Sequence, residues 1–313
     1  MDPITHGVIG LAISTFSGTT PSMDNPVAIG AAIGAMIPDS DVVIRLFSNE
    51  MTYLKHHRGW SHSLPALTLF SAAITLGLSV VMPGSLSFEV FFWTLMGALS
   101  HTVFDILNSY GAMLFKKKRK LNLLTLYDPF ITLLAVYLIF SGEKTMAQYA
   151  AVVLLFAAYL AIRWKMKQKA HDHVARAIAC QYDFKRVTIL PSLKAFYKWD
   201  FVADTRSHHI VGKYNLFTRK LQIIKKYYKK DSRHLGVFDQ SNLGRYFRRF
   251  SPNIHLEVLE HDNHIELRAI DLRYYMKNTF LHHGTLYLDR NGEIMESYFH
   301  PYKQNKWIPV LEG

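Results

Sequence analysis

The spacing of apolar positions divides the chain near Trp164. Upstream, apolar runs recur in six segments, at residues 4–16, 26–37, 62–82, 88–110, 129–140 and 145–164. Crossing the hydrocarbon core of a bilayer takes about 20 helical residues. The third, fourth and sixth runs approach that length; the first, second and fifth are shorter, as expected of half-inserted or re-entrant helices packed inside a bundle. Gly30-Ala31-Ala32-Ile33-Gly34-Ala35 offers small side chains for close helix contact. Downstream, residues 165–179 continue the sixth run as a basic helix. Alternation of period two then predicts strands at 209–217, 221–228, 255–260, 265–270, 285–288 and 293–298. Asp289-Arg290-Asn291-Gly292 is a hairpin signal, with a second turn at 260–263. Short helices are expected near 241–250 and 270–277. The pattern thus predicts a mainly α protein. A polytopic helical membrane bundle of about six membrane-associated helices (1–165) precedes a small cytoplasmic α+β domain with an antiparallel sheet (166–313). A soluble helical bundle is the competing reading of the first half.

Charge sharpens this division. The chain carries 36 Lys and Arg against 24 Asp and Glu, a net charge of +12. Of that excess, +1 lies before Trp164 and +11 from Trp164 onward. Such asymmetry points to an anionic neighbour, either a membrane surface or a nucleic acid. With apolar runs next door, membrane lipids and their anionic headgroups come first and nucleic acid second, even for Lys225-Lys226-Tyr227-Tyr228-Lys229-Lys230. The single Cys180 excludes an intrachain disulfide and any cysteine-rich metal site. Asp2 and His6 break the pattern of a cleavable signal peptide. Basic residues in short loops mark the cytoplasmic side. Lys55, Arg58, the 116–120 run and the 163–169 cluster belong there, whereas the loops at 17–25 and 83–87 carry no Lys or Arg. Six crossings then leave both termini in the cytoplasm. They also bring Asp2, His6, Asp39, Asp41, the stretch from His56 to Ser63, His101, Asp105 and Asp128 to the cytoplasmic ends of their segments.

That convergence points to one site. His101 and Asp105 lie four apart and share a helix face, and Asp2 and His6 have the same separation. Asp39 and Asp41, two apart after Pro38, point the same way on an extended loop. His57 and His62 both face inward if the chain turns at Gly59, whereas His56 reads as a solvated neighbour. Imidazole and carboxylate without cysteine suit a divalent cation: zinc foremost, with manganese and iron as alternatives. More than four such residues exceed the needs of one tetrahedral ion, which opens the way to two or three. Each residue also has a plainer role. Asp2 would cap the first helix, Asp128 the fifth, Asp39 or Asp41 a helix near Val42, and Arg58 would anchor the cytoplasmic face.

The four motifs Asp2-Pro-Ile-Thr-His6, Pro38-Asp39-Ser-Asp41, His57-Arg58-Gly59-Trp-Ser61-His62-Ser63 and Ser100-His101-Thr-Val-Phe-Asp105 occur in that order. Over about the first 130 residues the chain resembles the membrane-bound metal-dependent hydrolase family related to the LexA-regulated inner-membrane protein YdjM. The resemblance implies a bacterial cell-membrane protein with His6, Asp39, Asp41, His57, His62, His101 and Asp105 as metal ligands. It also implies remote similarity to zinc-dependent phospholipases C and single-strand nucleases, whose sites are trinuclear. The expected function is phosphoester hydrolysis on the cytoplasmic side, with a lipid-linked phosphoester among the candidate substrates. Arg58 would neutralise developing charge, and Asp2 or Asp41 would orient the attacking water. The alternative is a non-catalytic membrane regulator or transporter that uses the same polar residues as an ion path. A third reading is a membrane-tethered nucleic-acid binder. The substrate and the oligomeric state are not legible in the residues.

Overall fold

A computed structural model describes residues 2–39, 60–109, 111–115, 117–193, 195–229, 234–276, 278–301 and 306–312, with Phe250 described by its backbone alone. They form two compact units, one ending at Met166 and the other starting at Lys167.

The first unit is helical: α1 (Pro3–Ser14), α2 (Pro26–Met36), α3 (Leu64–Val81), α4 (Phe88–Leu107), α5 (Pro129–Phe140) and the first part of α6 (Met146–Ala179). The sequence marks most of the starts. Proline occupies the first turn of α1, α2, α3 and α5, where its missing N–H costs nothing. Asp2, Asn25, Ser87 and Asp128 accept the otherwise orphaned N–H groups at the heads of α1, α2, α4 and α5. α2 is the hub, packed against α1, α3 and α4. It approaches α4 closely because no side chain intervenes: a Cβ on Gly97 would lie 2.1 Å from the Ala31 carbonyl oxygen, and one on Gly34 would lie 2.3 Å from that of Thr94.

The six expected helices are all present, and the division into three long and three short holds, but six crossings are not shown. Among the described residues, only α3, α4 and α6 are long and apolar enough to cross a membrane, with 18, 20 and 34 residues. α1, α2 and α5 have 12, 11 and 12 residues, too short to span. An orientation counted from six crossings therefore has no basis in these helices.

The second unit begins with the end of α6 and holds two main antiparallel sheets. Strands β1 (Phe184–Pro191), β2 (Lys198–Thr205), β3 (His208–Asn215) and β4 (Leu221–Tyr228) form a four-stranded meander. After α7 (His234–Gln240) and α8 (Asn242–Phe250) come β5 (Ile254–Glu260), β6 (Ile265–Asp271), β7 (Tyr275–Met276), β8 (Thr279–Phe280), β9 (His282–Leu288), β10 (Ile294–Pro301) and β11 (Ile308–Pro309). The second sheet runs β11-β10-β9-β6-β5, and β7 and β8 make a separate small hairpin. Phe238, Leu243, Phe247, Leu267, Leu286 and Phe299 form its core beneath α7 and α8. Both expected hairpin turns are present, closed by Asp289 N–H to Glu293 O and His261 N–H to His264 O. The helix expected at 270–277 is instead the end of β6, a turn and β7. Its apolar spacing loses to tertiary pairing: Asp271 and Arg273 form a buried bidentate ion pair, and β6 stays in register between β5 and β9.

Candidate metal centre

Four chain segments converge at one end of the helical unit. His6 sits in the first turns of α1, and Asp39 lies just beyond the C-terminal end of α2. His62 closes the short 3-10 turn Trp60–His62 ahead of α3, and His101 and Asp105 occupy the last turns of α4. His6, His62, His101 and Asp105 are fully buried, and Asp39 is 8% exposed.

Asp39, His62, His101 and Asp105 each offer one ligand atom, and these atoms all lie within 4.8 Å of one another. His62 Nε2 is 3.2 Å from His101 Nε2. Asp39 Oδ1 is 3.5 Å from His101 Nε2 and 3.8 Å from His62 Nε2. Asp105 Oδ2 is 3.6 Å from His62 Nε2 and 3.7 Å from His101 Nε2. A tetrahedral ion with bonds of about 2.1 Å needs ligand atoms about 3.4 Å apart. The five measured edges match that spacing, and two imidazoles with two carboxylates are a donor set for a divalent cation. This group could hold a metal ion.

The ring orientations fit the same role. His101 Nδ1 lies 2.7 Å from the Ala35 carbonyl oxygen. A carbonyl only accepts, so Nδ1 carries the proton and the neutral ring presents a bare lone pair at Nε2, the arrangement a metal-binding histidine needs. His62 Nδ1 is 3.0 Å from Ser61 Oγ, which leaves its Nε2 facing the centre. Asn108 Nδ2 donates to Asp105 Oδ1 at 2.8 Å and holds the carboxylate's other oxygen. The Gly97–Ala31 crossing brings α2 against α4 and so places the Ala35 carbonyl beside His101.

His6 borders the group. Its ring stacks on His101 at 3.7 Å, and its Nε2 is 3.5 Å from Asp105 Oδ1. Neither ring nitrogen of His6 has a hydrogen-bond partner among the described residues. Asp105 therefore faces two directions, with Oδ2 toward His62 and His101 and Oδ1 toward His6.

Asp2 lies outside the four-residue group and caps α1: Oδ1 accepts Thr5 N–H at 3.0 Å and Oδ2 accepts the Thr5 hydroxyl at 2.5 Å. Asp128 caps α5 and accepts the Tyr159 hydroxyl at 2.7 Å. Asp41, His57 and Arg58 lie outside the described residues. Sequence reasoning missed the supporting groups, Ser61, Asn108 and the Ala35 carbonyl. Asn108, three residues after Asp105, was within reach of helical spacing; the Ala35 carbonyl was not, because only the tertiary crossing brings it near.

Comparison with known proteins agrees with the division into a helical and a sheet unit. Residues 237–308 match the family described as YfhP C-terminal alpha/beta plait domain. A protein of Bacillus subtilis (strain 168), named "Uncharacterized protein YfhP", is 27% identical over 320 residues, covering 95% of this chain and 94% of that one. No solved structure matches the chain. Residues 1–170 match the family described as YdjM inner membrane protein. That match spans more than half of the 313 residues, and the chain belongs to the YdjM inner membrane protein family.

Proposed function

We propose that the protein is an integral-membrane, metal-dependent hydrolase that cleaves a phosphoester at the His/Asp centre of its helical unit. The observation that carries this reading is the spacing of His62 Nε2, His101 Nε2, Asp39 Oδ1 and Asp105 Oδ2, 3.2–3.8 Å along the five edges from His62 and His101. Zinc is the proposed ion on grounds of donor type and count. The second oxygen of Asp105 and the stacked His6 support a further ion beside the first, with Asp41 and His57 as its other proposed ligands.

A divalent cation in such a site supplies Lewis acidity and makes bound water acidic near neutral pH. The chain's own part is to hold and orient. Ala35 and Ser61 fix the two imidazoles, Asn108 fixes Asp105, and the buried walls keep bulk water from the carboxylates. Arg58, one residue before the glycine that precedes Trp60, is proposed to neutralise charge on a phosphoryl group. Asp41 or Asp2 is proposed to orient the water, although Asp2 would first have to release Thr5. The basic clusters at Lys55–Arg58 and 163–169 support a cytoplasmic location for this end of the bundle.

An ion path through the membrane would string its polar residues along the helices. Here they form one knot at helix ends, which favours the hydrolase reading over the transporter. The test is elemental analysis of the purified protein followed by a phosphoester screen. Wild type should carry at least one equivalent of metal and hydrolyse a phosphodiester or phosphomonoester. A His62→Ala/His101→Ala variant should lose both metal and activity. Equal, substoichiometric metal in the two proteins would overturn the site, and full metal without hydrolysis of any phosphoester would overturn the reaction.

A further inference from the structure

We propose that the tips of the β1–β2 and β3–β4 hairpins form an aromatic foot that rests in the headgroup region of an anionic bilayer. This inference does not depend on the metal chemistry; it rests on the second unit and on the chain's membership of a membrane-protein family.

The two tips are adjacent and apolar at their ends. Leu193, Phe196 and Phe217 are 49%, 61% and 65% exposed. The Tyr197 ring stacks on Phe217 at 4.9 Å, and Phe196 packs edge-on to both, at 5.4 and 6.1 Å. Exposed clustered aromatics of this kind are uncommon on a wholly solvated surface and are favoured at a membrane interface. Basic groups surround them: Lys198 reaches over the Tyr197 ring at 5.7 Å, and Arg219 and Lys220 are exposed beside Phe217. Each basic side chain near an anionic leaflet favours contact by roughly fivefold.

The foot is also rigid. Asn215 Oδ1 accepts the Phe217 and Thr218 N–H groups at 3.0 and 3.2 Å, Lys198 N–H closes the other turn on Ala195 O, and Leu216 N–H donates to Tyr197 O between the tips. Ordering entropy has been met in folding, so contact with a surface does not have to supply it.

Direction decides what the foot meets. Within the second unit, β3 runs back along the end of α6. His208, at the start of β3, packs against Tyr182, which follows the helix. Tyr214, near the end of β3, stacks on His173, inside the helix, at 4.9 Å. β3 ends at Asn215, and Leu216 and Phe217 continue into the turn that follows. Phe217 therefore lies beyond the level of His173, toward the start of the helix in this unit. The apolar stretch of α6 ends at Trp164, and Lys165, Lys167 and Lys169 follow it. Within this unit the tip lies toward Lys167 and Lys169 at the start of its helix, and aromatics ringed by cations suit anionic headgroups.

A single thiol at the tip tests this in the full chain. Thr218→Cys in a Cys180→Ser background leaves the aromatics intact and carries an environment-sensitive dye, with the protein in nanodiscs containing phosphatidylglycerol. Iodide should quench the dye several-fold less than it quenches the same dye on free cysteine, and brominated lipid should quench it strongly. In discs of phosphatidylcholine alone, the brominated-lipid quenching should fall several-fold. Iodide quenching equal to that of the free adduct would overturn the proposal. Protection from iodide without brominated-lipid quenching would overturn it too, since a second protein copy would then be covering the tip.

Discussion

In the helical unit, His62 and His101 turn their Nε2 atoms to within 3.2 Å of each other; in the sheet unit, His209 and His255 come as close, 3.1 Å between Nδ1 atoms. The surroundings separate the two pairs. Asp39 and Asp105 face the same Nε2 atoms that meet, so four donors look at one point. Asp204 instead lies 3.5 Å from Nε2 of His209, on the far side of the ring from His255, and Lys229 is bonded to it. Nearby, Asp271 is held by the Arg273 guanidinium and backbone N–H and by Ser251 at 2.7 Å, with His282 Nδ1 3.7 Å away. In the sheet unit the chain supplies its own cations to these carboxylates; in the helical unit the geometry suits an external one. Sixteen histidines make a poor index of metal binding. Convergence of lone pairs is the discriminating feature.

The largest expected effect tests that contrast directly. His101→Ala should lower metal affinity by more than 100-fold, beyond the 10–100-fold typical of losing only a supporting group. His209→Gln/His255→Gln should leave metal content unchanged. Competition against a chelator of known affinity gives both numbers. Equal losses would mean that the two histidine pairs do not differ as described.

Next in size is Asp271→Asn. It leaves the Arg273 guanidinium, 3% exposed, without its charge partner in the sheet unit. Breaking a buried pair from one side costs about 3–5 kcal/mol. The urea midpoint of the β-sheet circular dichroism signal should fall accordingly, while metal stoichiometry holds. A midpoint within error of wild type would show that the pair is not structural.

Acid should separate the units as well. Burial pulls the imidazoles of His282, His283 and His255 down to about 4 and that of His209 to about 3, against 6.5 for a free side chain; neighbouring cations such as Lys229 and Arg268 contribute less. Between about pH 4 and 6.5 these groups are neutral when folded and take up protons on unfolding. Stability of the sheet unit should therefore be full above pH 6.5 and fall as pH drops toward 4, by about 2–3 kcal/mol for each histidine that stays neutral in the fold. Denaturation midpoints of the β signal at pH 7.5, 5.5 and 4.5 check the sign. A midpoint that rises on acidification would contradict it.

These contrasts also show what the residues disclosed in advance. His101 and Asp105 were readable because helical spacing puts positions four apart on one face, and His62 and Asp39 because their residue types recur at segment ends. β4 was readable as a strand-like segment and the Asp289–Gly292 turn from its Asn-Gly pair, with a second turn placed at 260–263. β1 and β2 were not readable: Lys198-Trp-Asp-Phe-Val-Ala-Asp-Thr205 buries Phe201, Val202 and Ala203 in succession, which erases the two-residue period. The three long runs were readable as spans, but the count of six crossings went too far, because apolar composition signals burial in protein as readily as burial in lipid. α2 is apolar and wraps itself in α1, α3 and α4, with Ala28, Ala31 and Ala35 fully covered.

The smallest effect concerns a single hydroxyl. With His101 Nδ1–H committed to Ala35, the 3.2 Å contact between the two Nε2 atoms is a hydrogen bond only if His62 carries its proton on Nε2. In that tautomer, the Ser61 hydroxyl donates to His62 Nδ1. Holding a cation requires the other tautomer, in which Nδ1–H donates to Ser61 Oγ and both Nε2 lone pairs are bare. A serine hydroxyl serves either state by rotating, whereas a carbonyl such as that of Ala35 serves only one. Ser61→Ala should therefore weaken metal binding by about tenfold, the low end for a group that orients a ligand. Ser61→Thr, which keeps the hydroxyl, should restore it. The sheet unit offers the control: His300 Nε2 faces the Thr285 hydroxyl at 3.0 Å, and Thr285→Val should cost local stability without changing metal affinity. Should Ser61→Ala bind metal as tightly as wild type, His62 would not depend on that hydroxyl for its orientation, and the backbone of the Trp60–His62 turn would be what holds the ring.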